Sequence, residues 1–399
     1  MSDKCPVLSS LYDLPFQQDR TAAWHQLHET GEVAISDKGA YVIIGADAVE
    51  AVAKNTKAFS SKANGDMMAS PIPMVPIETD PPEHARYRRM LDKFFSPRSV
   101  AARADELRVQ AGELIDRLIA EGDTCELMSG LAGPFPAQVF LTLYGLPLED
   151  RDRLVAWKDA LLEAMDLDSG EPTPKGLAVA TEVYTYLNQA IADRRANLGS
   201  DLLSELVRDN DEGTLTDEEL LGLSFVFILA GLDTVTAALG FAFANLAQDS
   251  VLRRRLVENP ELIPAFIEES LRVDAPVPML ARKTTEDVTV GDTTIPKGSN
   301  CLLMFGAANR DAKRYDDADT FNDERNPTHF SFGRGPHRCL GSHLARLEMR
   351  VVIEEWHKRV PEYSLANGVP HVKWPGKSTH SFERLDLKIS APGAAHEPG

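Results

Sequence analysis

The segment Phe332-Gly333-Arg334-Gly335-Pro336-His337-Arg338-Cys339-Leu340-Gly341 has the residue types of a ligand loop. Two glycines and a proline shape a tight turn. Cys339 leaves that turn where an amphipathic helical face begins, formed by Leu340, Leu344, Leu347 and Val351. The free N–H groups and dipole of a helix N-terminus stabilise a thiolate there. A soft, anionic sulfur on a rigid loop suits a metal. No other Cys or His stands at zinc-finger spacing, so the pattern implies a one-thiolate metal site. One thiolate, with the remaining coordination supplied by a macrocycle, is haem chemistry.

Three further groups bear on this. Glu269 and Arg272 are three residues apart on a helix, which alone would be a surface ion pair of little worth. In Asp80-Pro81-Pro82-Glu83-His84-Ala85-Arg86-Tyr87-Arg88, His84 and Arg88 are four apart and share a helical face. Arg is suited to carboxylates. Ala230-Gly231-Leu232-Asp233-Thr234 sits mid-way along a long apolar stretch. Its small residues let a flat ligand approach the backbone, and a Thr inside a helix often bonds back to the i−4 carbonyl.

Together these segments resemble the cytochrome P450 monooxygenases. The cysteine loop is similar to the family's haem signature, FGxGxHxCxG, and Glu269 with Arg272 to its ExxR pair. The resemblance covers essentially the whole chain. It implies heme b (iron protoporphyrin IX) with Cys339 as axial thiolate, the ligation general to that family. Phe332, Gly333, His337, Gly341 and Ala230 then contact the haem, and His84, Arg88, Arg282 and His337 hold its propionates. Glu269 and Arg272 lie buried behind the haem, joined by Arg325 of Phe321-Asn322-Asp323-Glu324-Arg325-Asn326-Pro327. Such a triad is costly to bury unless every donor is satisfied, so its contribution is to fix loop geometry. The resemblance also implies that the long helix opens locally at residues 230–234. Thr234 would hold the reacting oxygen and a water, and Asp233 would relay protons from solvent.

The resemblance is closest to soluble bacterial members served by ferredoxins. Residues 230–235 and Tyr144-Gly145-Leu146-Pro147 are similar to the camphor-hydroxylating member. The substrate region departs from it: residues 61–77 contain no aromatic side chain and offer Met67, Met68, Ile72, Met74 and Val75. By position, Val226, Leu229, Ala230, Val277, Pro278 and Leu280 also face substrate. All are apolar, which favours hydroxylation or epoxidation of a terpenoid, a steroid or a branched lipid. Met-rich walls adapt to shape.

The elements that must position these residues are mostly helical. Thr216-Asp217-Glu218-Glu219 is a capping box ahead of the apolar stretch 220–247, whose one charge is Asp233. That stretch spans about 40 Å at ~1.5 Å per residue, enough to cross a bilayer. With no second span and no aromatic belt, it reads as the buried central helix of a large core. Asn259-Pro260 opens another helix. Helices are expected over 149–165 and 174–196, joined by a Ser/Gly/Pro-rich connector, 166–176, that would act as a lid. Hairpins are expected at 33–35 with 41–44 and at 288–290 with 293–295, and a last strand through Leu385, Leu387 and Ile389. The fold class is therefore mainly α with a small β region, and the resemblance implies the P450 fold as a single domain over 1–390. Residues 391–399 read as a frayed, flexible tail.

Composition excludes several alternatives. The chain has 399 residues, 43% hydrophobic and 26% charged, which excludes disorder as the main theme. A net charge of −19 disfavours nucleic acid as a partner. Four cysteines without a CxxC pair imply a reducing cytoplasm rather than a disulfide framework. No basic run precedes an apolar one at the N-terminus, so no signal peptide is expected. No flavin or nicotinamide fingerprint is present, so electrons, ultimately from NAD(P)H, must arrive through separate proteins. Arg86, Arg89, Lys93, Arg98, Arg334, Arg338 and Arg346 make a basic face suited to an acidic 2Fe-2S ferredoxin. Two rivals to an O2-dependent monooxygenase are a peroxide-driven haem-thiolate catalyst and a non-catalytic haem sensor or carrier. The Asp233-Thr234 pair disfavours the first, and that pair together with the basic face disfavours the second.

Overall fold

The computed structural model describes residues 5–8, 10–64, 72–163, 173–368, 370–372, 374 and 379–389. In chain order the helices are α1 (Arg20–Glu29), α2 (Ala46–Lys54), α3 (His84–Phe95), α4 (Pro97–Ala101), α5 (Ala104–Ile119), α6 (Pro134–Tyr144), α7 (Arg151–Glu163), α8 (Pro174–Ala196), α9 (Leu202–Asp211), α10 (Asp217–Gln248), α11 (Ser250–Glu258), α12 (Ile263–Val273), α13 (Phe305–Ala308) and α14 (Ser342–Arg359). The strands are β1 (Val7–Leu8), β2 (Val33–Ser36), β3 (Tyr41–Ile43), β4 (Phe59–Ser60), β5 (Thr124–Glu126), β6 (Leu280–Thr284), β7 (Val288–Val290), β8 (Thr293–Ile295), β9 (Asn300–Leu303), β10 (Tyr363–Leu365) and β11 (Asp386–Ile389). The mainly helical reading with a small β region and a long central helix holds.

The central helix is α10. Its capping box forms in both directions: Glu219 N–H donates to Thr216 Oγ1 (3.1 Å) and Thr216 N–H donates to Glu219 Oε2 (2.8 Å). The helix is long and apolar enough to cross a membrane by length and composition. Here its faces are covered by α6, α7, α8, α9, α12 and α14, so apolarity on every side is matched by protein packing. One glycine permits a further contact. A Cβ at Gly222 would stand 1.9 Å from the Pro73 carbonyl oxygen, so only glycine lets the segment before α3 cross the helix this closely.

Both expected hairpins form. Val33 pairs with Ile43 and Ala34 with Val42, and Val288 pairs with Ile295. The first belongs to a six-stranded sheet ordered β1-β2-β3-β9-β6-β4. The last strand is β11, held between β10 and β5.

Three local expectations need correction. Asn259 does not cap α12; its side chain donates back to Arg255 O (3.0 Å), and Pro260 starts a short 3-10 turn before α12. α14 begins at Ser342, so Leu340 precedes the helix instead of lying on it. α10 runs unbroken through 230–234, without the expected local opening. Of the connector 166–176, the described part is the start of α8, where the Thr173 hydroxyl accepts from Gly176 N–H (3.2 Å). The remainder of that connector, Met67, Met68 and the tail 391–399 lie outside the described residues.

Gly222→Ala drives a methyl into a backbone carbonyl that cannot rotate away. The expected loss is about 1–3 kcal/mol of unfolding free energy, read by urea denaturation; an unchanged midpoint would show that the crossing is not close.

Candidate active site at the cysteine loop

The loop is built by two left-handed residues that only glycine adopts without strain, Gly333 (φ 66°) and Gly335 (φ 67°). Gly335 also lies against α2, where a Cβ would come within 2.5 Å of Ala53 O. Gly333 N–H donates to Phe330 O and Cys339 N–H to Phe332 O, both 2.7 Å, which closes the loop. The Phe332 ring lies between the His329 ring (5.5 Å) and the Arg346 guanidinium, 4.3 Å from its centroid. Arg346 grips Glu268 through two bonds of 2.6 and 2.7 Å. Burial alone would raise the Glu268 carboxyl, but Arg346 and His329 bring it down to about 2.

Cys339 stands three residues ahead of α14, its thiol open to a cavity yet deep in the molecule. Burial pushes the thiol up; the Gly341 N–H and the charges of Arg88, Arg338 and Arg346 oppose this. A Cβ at Gly341 would stand 4.0 Å from the sulfur, in ordinary contact. Among the described residues, no three His, Cys, Asp or Glu side chains converge, so a metal at Cys339 must draw its other ligands from elsewhere.

Behind the loop, Glu269 and Arg272 are fully buried and paired twice, at 2.8 and 2.7 Å. Arg272 also donates to Asn309 O (2.8 Å), Ala318 O (2.6 Å) and Thr320 O (3.3 Å). Glu269 accepts in addition from Asn322 N–H (2.9 Å) and Arg325 Nε (3.3 Å). Arg325 reaches the carbonyls of Asp316, Asp317 and Thr320. The buried charges thus have their hydrogen-bond partners, the condition under which such a cluster is tolerated.

At the cavity's other edge Arg282, His84, His337 and Arg88 cluster; among the described residues only Arg88 of the four is in an ion pair, with Asp92 at 3.5 Å. Arg282 is 2% exposed, donates to Ala281 O (2.6 Å), and leaves Nε without a partner. Burial lowers it to about 10. The His84 and His337 rings lie 4.3 Å apart, and His337 Nε2 is 2.9 Å from Ser61 Oγ. Burial, Arg282, His84 and Arg88 push His337 down to about 3; burial and Arg88 lower His84. Arg88 donates to Arg338 O (2.6 Å). This cluster calls for carboxylates. A haem, with a sulfur ligand on one side and two propionates at the edge, fits the residues present.

The cavity, about 420 Å³, runs from Cys339 to α10 and is mostly apolar. Ala230, Thr234, Met74, Val226, Leu229, Val277 and Leu280 line it; Ile72 and Pro278 do not. Phe95, Phe140, Leu143, Phe227 and Met279 complete the wall, and sequence position did not single them out. Phe95 and Phe227 stack at 5.8 Å. Thr234 Oγ1 donates to Ala230 O (3.2 Å), the expected i−4 bond. Gly231 also lines the cavity, as its small size predicts, and a Cβ there would meet the Phe140 ring at 3.0 Å. Its small size lets α6 pack closely against α10. Asp233 faces Lys158 of α7 (2.7 Å) and Thr379. Glu348 of α14 also lines the cavity with Oε2 unpartnered, and burial raises its carboxyl well above the ordinary range.

The expected basic face is reduced. Arg86 pairs with Glu83 and Glu219, Lys93 with Glu205, and Arg346 with Glu268; Arg334 lies over the Phe330 ring. Arg89, Arg98 and Arg338 are exposed and, among the described residues, outside any ion pair.

The sequence profile of the cytochrome P450 family matches residues 21–356. The chain is 34% identical to the mycinamicin IV hydroxylase/epoxidase of Micromonospora griseorubida over 305 residues, 75% of each chain. It is 34% identical to the erythromycin C-12 hydroxylase of Saccharopolyspora erythraea over 370 residues, 89% of this chain and 87% of that one. Among solved structures, the enzyme that forms the C–S bond in chuangxinmycin biosynthesis superposes with a TM-score of 0.88 at 28% identity, covering 97% and 98% of the two chains. An enzyme of Bacillus megaterium in complex with testosterone gives 0.85 at 26% identity, covering 96% and 100%.

Two outcomes follow from the buried charges. Arg272→Met leaves Glu269 poorly compensated, and urea denaturation should show a loss of about 3–5 kcal/mol; a loss below 1 kcal/mol would remove the cluster from the core of the fold. A buried acid whose folded pKa exceeds its unfolded value loses stability as pH rises above the usual carboxylate range. Glu348→Gln should therefore gain stability over the parent, more at pH 8 than at pH 5, in unfolding curves at the two pH values.

Proposed function

Since the chain belongs to the cytochrome P450 family, and is thereby a haem-thiolate monooxygenase, we propose that it inserts one atom of O2 into a small to medium hydrophobic molecule. The substrate is a terpenoid, steroid or branched lipid, hydroxylated or epoxidised with two electrons delivered by a ferredoxin. The observation that carries this reading is the Cys339 thiol facing an apolar cavity whose edge holds Arg282, His84 and His337, none of them in an ion pair among the described residues. Haem bound there supplies activation of O2 at a thiolate-ligated iron. The chain's own residues do the rest. Cys339 is the sulfur ligand; Arg282, His84, His337 and Arg88 hold the carboxylates. Phe332, Gly333, Gly341 and Ala230 face the macrocycle. The apolar walls exclude bulk water and orient the substrate. Thr234 holds a water by its hydroxyl, and Asp233 is the acid that supplies protons.

A hydrophobic organic substrate is supported by the testosterone bound in the Bacillus megaterium structure and by the erythromycin in the name of the Saccharopolyspora erythraea hydroxylase. The exposed Arg89, Arg98 and Arg338 are the residues best placed to attract an acidic ferredoxin. None of the four cysteines is paired, which supports a reducing, cytoplasmic setting. Residues 1–390 act as one haem-thiolate domain, with 391–399 as its tail.

The reduced protein under carbon monoxide should show the strongly red-shifted Soret band of thiolate ligation, and Cys339→Ser should lose it. An imidazole-type band in the parent would overturn the ligation. With ferredoxin, reductase and NADH, Thr234→Ala should keep consuming NADH while product per NADH falls about tenfold or more, the scale of a lost proton-handling group. Full coupling would remove Thr234 from the mechanism, and turnover with peroxide alone would favour the peroxide-driven reading.

A further inference from the structure

Asp233 is the one charged residue of α10 between its first turn and its C-terminus, and its carboxylate is held at both oxygens. Lys158 Nζ lies 2.7 Å from Oδ1, and the Thr379 hydroxyl donates to Oδ2. All three groups are buried, with exposures of 8% for Asp233, 5% for Lys158 and 5% for Thr379. Burial alone would lower the Lys158 ammonium; Asp233 and Asp159 outweigh it and raise it. The two donors come from distant parts of the chain: Lys158 from α7, and Thr379 from the segment just ahead of β11. Only Thr379 of the two also lines the cavity. Most other polar groups on that wall are engaged elsewhere. The Asn64 amide bonds to Ser61 O and Ala281 N–H, Ser331 Oγ to Leu271 O, and Thr234 Oγ1 to Ala230 O.

We propose that Thr379 is a positioning residue for Asp233: its hydroxyl ties the carboxylate, which does not itself line the cavity, to the wall that Thr379 lines, opposite the Lys158 anchor. This inference rests on the acid role of Asp233 proposed above. Without the hydroxyl, Lys158 alone holds one oxygen, and the other loses its link to the wall. A change in what packs against Thr379 then reaches the acid through a single hydrogen bond. Misplacement of a catalytic group by a fraction of an ångström lowers the yield of the step it serves.

The test uses the haem-loaded protein with ferredoxin, reductase, NADH and a substrate found by its spin-state shift. Thr379→Val should lower product per NADH by about three- to tenfold at saturating substrate, with the carbon monoxide band unchanged. Thr379→Ser, which keeps the hydroxyl, should restore coupling. A purely structural role would be rescued by Val, the closer match in shape, rather than by Ser. A second readout needs no turnover. Thr379→Val should shift the urea midpoint of the parent but not that of an Asp233→Ala background, because the two changes remove the same bond. Full coupling in Thr379→Val, or additive midpoint shifts, would overturn the proposal. Asp233→Asn separates it from its premise: full coupling there sinks the acid role and this inference together. An uncoupled Asp233→Asn beside a coupled Thr379→Val sinks only the role of Thr379.

Discussion

The fully buried Arg272 guanidinium is the constraint on which the site depends. Taking such a charge out of water costs several kcal/mol unless its donors are satisfied. One carboxylate, Glu269, accounts for two donors, and main-chain carbonyls at 309, 318 and 320 take the others. Those carbonyls belong to an irregular stretch with no ladder to fix its course. The charge therefore acts as a template: the chain from 309 to 320 must follow the one path that meets it. The consequence reaches the sulfur through a short series of bonds. Asn309, whose carbonyl accepts from Arg272, receives Phe330 N–H (2.6 Å) and donates to Ser331 Oγ (2.8 Å). Ser331 is in turn tied to Leu271 O on α12 (2.5 Å). Phe332 follows, and its carbonyl receives Cys339 N–H. The position of the thiol is thus set by hydrogen bonds that begin at a buried arginine.

The opposite wall is organised by a different rule. α10 is apolar on all sides, so each polar side chain in its buried length must find a partner. Ser224 bonds to Leu220 O and accepts from the Tyr144 hydroxyl; Thr234 and Thr236 bond back to their own helix. Asp233 reaches outward to two elements at once, to Lys158 of α7 and to Thr379. The rigid sulfur side and the packed helix side meet across one cavity, and the connection between distant elements at that helix is the carboxylate.

How far the sequence discloses this depends on how local the physics is. The cysteine loop is legible because two left-handed glycines and a proline are written at fixed offsets. The Glu269–Arg272 pair is legible because i,i+3 spacing puts the two on one helix face, and the family resemblance adds Arg325 from farther along the chain. The capping box and both hairpins are local as well. Asn309, Ser331, Lys158 and Thr379 are not legible, since each acts through a partner far away in sequence and belongs to a commonplace residue type. Gly231 shows the limit clearly: its small size on the cavity side is legible, but its close approach to Phe140 of α6 is not. Likewise, the charges of Arg86, Lys93 and Arg346 are visible in sequence, but the acidic partners that engage them are not.

The two charge clusters differ in a way that ties stability to function. The cluster around Arg272 is closed, with its donors and acceptors matched inside the chain. The cluster of Arg282, His84 and His337 is open, with burial weakening every cation in it. A chain folded by its own contacts alone gains little from that second cluster, because a guanidinium and two imidazoles whose protonation burial disfavours are desolvated together. A dianionic group seated there turns the same arrangement into charge-assisted hydrogen bonds, roughly twice as strong as neutral ones. Whatever binds the folded state and not the unfolded one adds its binding free energy to stability. The fold thus keeps an electrostatic deficit at the edge of the cavity, held in place by the matched pair behind the loop.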